Sequence, residues 1–174
     1  KGERKYWDPE IETMPLDKLR RLQEKKLKEV VARAYEKSAL YRRKYNEAGV
    51  KPSDIKTLDD LKRLPFITQD DIRNTPILEK LAVPIGEAKL ISSTSGTTTG
   101  IPEPVLYTQK DFDAYRNQVA RSRWTCGVRP EDVVQVLYPF DAVTQGYNLL
   151  GATVLLLDAG RGILDQQIRL AQTM

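Results

Sequence analysis

The sequence predicts an α/β fold, with a helical N-terminal segment packed on an α/β layer. Three observations lead there. Up to about residue 50 the apolar residues recur at helical spacing; after Leu81 they gather into short runs rich in β-branched residues; and beyond Thr108 such runs alternate with helical stretches. The expected division is a helical segment over 1–80 and a partial α/β subdomain over 81–174.

Met14-Pro15 opens the first long helix, because proline is tolerated in a first turn, and Leu27, Val30, Val31 and Ala34 fall on one stripe. A second amphipathic piece runs from Leu40 to Ala48 and ends at Gly49, with Tyr41 and Tyr45 one turn apart as core or helix–helix contacts. Thr57 with Asp60, and Thr68 with Asp71, each place a hydroxyl three residues ahead of an acid, which predicts caps of short helices over Thr57–Arg63 and Thr68–Asn74. Pro65 stops the first and Thr75-Pro76 the second. Leu90-Ile91 gives a short strand and Pro104 to Tyr107 its antiparallel return; Thr108 with Asp111 caps a helix to about Thr125. Val133–Tyr138 and Thr153–Leu157 read as parallel strands buried on both faces, and Leu164–Gln172 as a last helix.

With 174 residues, 40% hydrophobic and 30% charged, the chain is long enough for a core and unlike a disordered one. Neither a bilayer-spanning apolar run nor a secretory leader is visible, so the expected location is cytoplasmic and no membrane partner is expected. The absence of histidine and the single Cys126 exclude the usual zinc sites and any Ser-His or Cys-His nucleophile; Cys126 itself reads as a small buried or half-buried side chain near a helix end. Residues 1–51 hold 15 Lys or Arg against 9 Asp or Glu. These charges alternate at helical spacing (Asp17 with Arg21, Glu24 with Lys28, Glu29 with Arg33), the pattern of a solvated helix face, so nucleic acid is set aside as a partner.

From Ser92 to Gly100 the chain carries only hydroxyl residues and glycine, which build no core. Gly96 and Gly100 let the backbone approach a ligand, and Ser95, Thr97, Thr98 and Thr99 add O–H donors to successive N–H groups, a set suited to phosphate oxygens. Three residues rather than four separate the glycines, and Ile101-Pro102 follows instead of Lys-Ser/Thr, so this is not a Walker A loop; no G-x-G-x-x-G is present either.

Thr94-Ser95-Gly96-Thr97-Thr98, then Gly100-Ile101-Pro102, resembles the phosphate loop of the adenylate-forming superfamily, Ser/Thr-Ser/Thr-Gly-Thr-Thr-Gly-x-Pro. The flanks "ALYRRKYNEAGVKPSDIKTLDDLKRLPFITQDDIR" (39–73), "GVRPEDVVQVLYPF" (127–140) and "LGATVLLLDAG" (150–160) resemble the phenylacetate-coenzyme A ligases and the related coenzyme F390 synthetases. The resemblance covers nearly the whole chain and implies the N-terminal domain of an adenylate-forming enzyme, incomplete here, with 81–174 as part of its nucleotide-binding subdomain. It implies a carboxylic acid, ATP with Mg2+, and coenzyme A as partners, and two steps: acyl-adenylate formation, then thioester formation.

By the same resemblance Thr94, Ser95, Gly96, Thr97, Thr98, Thr99 and Gly100 contact the β- and γ-phosphates, and Tyr138 and Phe140 fall near the acyl pocket or else are core aromatics at a strand end. No catalytic residue or metal ligand is assigned within the chain. The loop departs from the family by one extra threonine and by Ile101 where lysine is frequent, and the stretch between Phe140 and Gly151 looks shorter than in relatives. The family's adenine, ribose and magnesium segments, and its C-terminal lysine, are expected beyond Met174, so the chain alone is expected to be inactive. AMP transfer to another acceptor, a non-catalytic remnant serving protein interaction, and a homodimer stand beside this reading.

Overall fold

The computed structural model describes residues 4–93, 103–136, 141–156 and 163–172. In chain order the helices are α1 (Pro9–Glu12), α2 (Leu16–Lys37), α3 (Ala39–Glu47), α4 (Gln69–Arg73), α5 (Ile77–Lys80), α6 (Gln109–Thr125), α7 (Asp141–Leu150) and α8 (Ile163–Gln172). The strands are β1 (Ala88–Ser93), β2 (Pro104–Thr108), β3 (Val133–Val136) and β4 (Thr153–Leu156), with short 3-10 helices at Pro52–Asp54, Leu58–Arg63 and Ile85–Glu87. The chain forms two compact units: Thr13–Thr108, and Lys1–Glu12 joined with Gln109–Met174.

The first unit is built on α2. Its core is Val31, Tyr45, Val50 and Ile55, with Leu27, Tyr35, Tyr41 and Leu64 packed against them. The buried row on α2 is therefore Leu27, Val31, Tyr35, spaced by four, and Val30, expected on the stripe, is 59% exposed. Residues three and four ahead of Leu27 lie on opposite sides of its row, and the packing partners cover only the second side. Tyr45 meets Tyr41 edge-on at 6.1 Å and stacks on Tyr35 at 6.3 Å, as the core reading of these tyrosines requires. Gly49 ends α3 in the left-handed region, φ 66°, where a side chain is strained. There its N–H donates to the Asn46 carbonyl and that of Val50 to the Tyr45 carbonyl, which closes the helix end and turns Val50 into the core. On the solvated side of α2 Asp17 pairs with Arg21 as expected, whereas Glu29 pairs backwards with Lys25.

The caps expected at Thr57 and Thr68 form. The Thr57 N–H and hydroxyl donate to the Asp60 carboxylate, and the helix that follows is 3-10 rather than α. At α4 the box is reciprocal: the Asp71 N–H donates to Thr68 Oγ1, and the Thr68 N–H to Asp71 Oδ2. Buried Ser38, between α2 and α3, donates its hydroxyl to the Glu79 carbonyl at 2.9 Å, which ties that corner to α5. β1 and β2 pair antiparallel from Ala88↔Thr108 to Ser93↔Pro104, and along β1 half-buried and exposed residues alternate, as in a strand with one covered face.

In the second unit β3 and β4 run parallel, Val133 opposite Thr153 and Val136 opposite Leu156, joined through α7 as a βαβ unit. The sequence reading placed no helix between Phe140 and Gly151; α7 is there, with Gly146 packed directly on Val119 of α6. The expectation that β3 is covered on both faces holds at Val136 but not at Val133, which is 52% exposed at the strand's outer end. Ala120, Trp124 and Leu150 form the core, with Trp7 and Val128 against them. The chain's first turn belongs here as well: Trp7 Nε1 donates to Asn117 Oδ1 at 2.7 Å, and Asp8 pairs with Arg121 at 3.2 Å. Cys126, expected to be buried or half-buried, is exposed, because it sits at the C-terminal end of α6 just ahead of Gly127. Among the described residues no helix is long and apolar enough to cross a membrane.

Candidate functional site

The expected phosphate-contacting residues Thr94, Ser95, Gly96, Thr97, Thr98, Thr99 and Gly100, and the expected substrate-side Tyr138 and Phe140, lie outside the described residues. What the structure shows is the frame that carries the hydroxyl-glycine stretch. The strands before and after it, β1 and β2, form one hairpin with Ser93↔Pro104 as its last described pair. Ser92 is half-buried and Ser93 exposed, so the run of hydroxyls begins within β1.

Pro104 has no N–H, so the hairpin rung nearest the stretch lacks one backbone donor, and proline also restricts Glu103 before it to extended geometry. Glu103 is held from the side. Its Oε1 lies 3.4 Å from Arg73 Nε at the end of α4, with side chains 17% and 29% exposed, and Arg73 Nη1 also lies 3.6 Å from Asp70. Sequence reading assigned neither residue a role; a proline-flanked acid right after a glycine-rich stretch was the available signal.

α4 is itself firmly set. Asp71 accepts from the Thr68 N–H at 2.8 Å and from the Thr68 hydroxyl at 2.8 Å, and Lys44 Nζ lies 3.1 Å from its carboxylate. These donors, the Thr68 N–H first, pull the Asp71 carboxyl down to about 2, so it is ionised at any physiological pH. Arg43 donates to the buried Thr75 hydroxyl, which donates in turn to the Asp71 carbonyl, while Lys80 Nζ donates to the Ile72 carbonyl at 2.8 Å. α3, α4 and α5 are thus cross-tied, and the arm bearing Arg73 is short and anchored at both ends. A groove of about 460 Å³ lies on the same unit, lined by Leu58, Asp59, Leu61, Lys62, Leu64 and Phe66. No group of three or more His, Cys, Asp or Glu placed to hold a metal occurs among the described residues.

This frame is shared with solved proteins. The whole chain superposes on 39% of 2-hydroxyisobutyryl-CoA ligase, in complex with 2-HIB-AMP and CoA in the thioesterification state, with a TM-score of 0.91 and 32% identity. An open conformation of that ligase gives a TM-score of 0.89 and 29% identity over 43% of its chain. The fold is that of the adenylate-forming coenzyme A ligases, present here in part. By sequence the chain is similar to phenylacetate-coenzyme A ligases: it is 40% identical to that of Escherichia coli over 160 residues and 38% identical to that of Thermus thermophilus over 172. Those matches take in 88% and 95% of this chain but only 36% and 38% of the relatives' length. No protein-family model matches the chain.

Proposed function

We propose that the chain is the N-terminal part of an ATP-dependent carboxylate-coenzyme A ligase acting on an aryl-acetic or related acid. The observation that carries this is the coincidence of sequence and fold: superposition of the whole chain on part of a ligase with 2-HIB-AMP and CoA bound, together with phenylacetate-coenzyme A ligases at up to 40% identity. In the first step a carboxylate oxygen attacks the α-phosphorus of ATP and pyrophosphate leaves. In the second the CoA thiol attacks the acyl carbonyl and AMP leaves. Thr94 to Gly100 hold the β- and γ-phosphates by main-chain N–H and hydroxyl donors, and the anchored hairpin fixes both ends of that stretch. On the same reading Tyr138 and Phe140 belong to the acid-binding side and Mg2+ to the nucleotide. Residues 81–174 then contribute part of the nucleotide-binding subdomain, in a cytoplasmic enzyme. The CoA bound to the solved neighbours favours a thiol acceptor over AMP transfer to another group.

The test is pyrophosphate exchange by the full-length protein with aromatic acids. Gly96→Ala or Thr97→Val should slow exchange at least tenfold, about 1.4 kcal/mol of transition-state stabilisation, without moving the melting temperature. Unchanged exchange in both variants would refute the assignment.

A further inference from the structure

We propose that Arg73 is a positioning residue for the nucleotide site, acting by neutralising Glu103; this rests on the reading of Thr94–Gly100 as the phosphate-contacting stretch. Glu103 follows Gly100 by three residues, so the sequence attaches a carboxylate to the exit of a segment meant for a polyanion. A bare carboxylate there would oppose ATP. The structure answers with a guanidinium: Arg73 Nε lies 3.4 Å from Glu103 Oε1, and both side chains are largely withdrawn from water, where screening is weaker than for an exposed pair.

The rest of the local structure serves this placement. Pro104 removes a backbone donor at the hairpin's end, and the Arg73 side chain supplies a tie at the neighbouring Glu103. Arg73 closes α4, which the Thr68–Asp71 box and the Lys44–Asp71 pair hold rigid. Asp70, 3.6 Å from Arg73 Nη1, is largely exposed and competes only weakly for the cation.

The experiment uses the full-length protein and reads the KM for ATP, the KM for the acid and the melting temperature in Arg73→Met, Arg73→Lys, Glu103→Gln and the double variant Arg73→Met/Glu103→Gln. Uncovering one carboxylate three residues beyond the stretch assigned to the triphosphate should raise the ATP KM of Arg73→Met roughly five- to tenfold. The acid KM should hold, Arg73→Lys should stay near the parent, and the double variant should recover most of the loss because the carboxylate is gone. An unchanged ATP KM in Arg73→Met, or an equal defect in the double variant, overturns the proposal. Thr97→Val run alongside separates the two levels: impaired Thr97→Val with normal Arg73→Met defeats this inference alone, whereas normal exchange in Thr97→Val defeats the underlying site reading as well.

Discussion

Gly146→Ala tests the packing that closes the βαβ unit. An ideal Cβ at Gly146 would stand 2.5 Å from Val119 Cγ1, 2.6 Å from Val119 Cβ and 3.1 Å from the Arg116 carbonyl oxygen. Two of these are root atoms of a β-branched side chain on a helix, where the rotamer is nearly fixed, so α6 and α7 must move apart. With two contacts under 3 Å the cost falls in the upper part of the usual overpacking range, about 2–3 kcal/mol, and the better helix propensity of alanine returns about 1 kcal/mol, leaving a net loss of about 1–2 kcal/mol. For a unit of this size that is a fall in melting temperature of about 5–10 °C. Tryptophan fluorescence reads it directly, because Trp7 and Trp124 are the chain's two tryptophans and their rings lie 5.9 Å apart in this same unit. Val119→Ala in the double variant should rescue only partly, since its Cβ remains within 2.6 Å of the added methyl. A Gly146→Ala protein as stable as the parent would refute the reasoning.

Two further outcomes are expected in the other unit. Asp71 is held at about 2, below its ordinary 3.8, chiefly by the Thr68 N–H, then by the Thr68 hydroxyl and Lys44. A depressed carboxyl stabilises the fold above the unfolded value and loses that effect as pH falls, so the urea midpoint read by far-UV circular dichroism should drop between about pH 4 and pH 2. Asp71→Asn should lower the midpoint at neutral pH and flatten that drop; an equally steep drop would contradict the assignment. Gly49→Ala meets no atom within 4 Å, so only the backbone at φ +66° resists it, and denaturant unfolding should show a loss of about 1–2 kcal/mol.

The elements legible in the sequence were those with local causes. The boxes at Thr57 and Thr68 and the end of α3 at Gly49 depend on residues within four positions of one another, and all appear where the pattern put them. The β1–β2 hairpin was legible because both flanks of the hydroxyl-glycine run are apolar and of strand length. Errors arose where a distant partner decides. Val30 and Val31 are equally good on a helical wheel, and only the packing of α3 and the turns after it selects Val31. α7 was missed because its buried glycine, a helix breaker in sequence terms, is required by contact with Val119. Within the candidate site, the composition announced the donor-rich stretch, but the Arg73–Glu103 tie spans 30 residues and leaves no spacing pattern.

The unit that holds both tryptophans is discontinuous, drawing residues 4–12 across an intervening unit to meet α6. During synthesis residues 13–108 emerge and can close on themselves first, while Trp7 and Asp8 must wait for Asn117 and Arg121. Until then the segment around Trp7 has its docking surface still untranslated, so a cleavage near Trp7 acts on a contact that forms only after α6 has emerged.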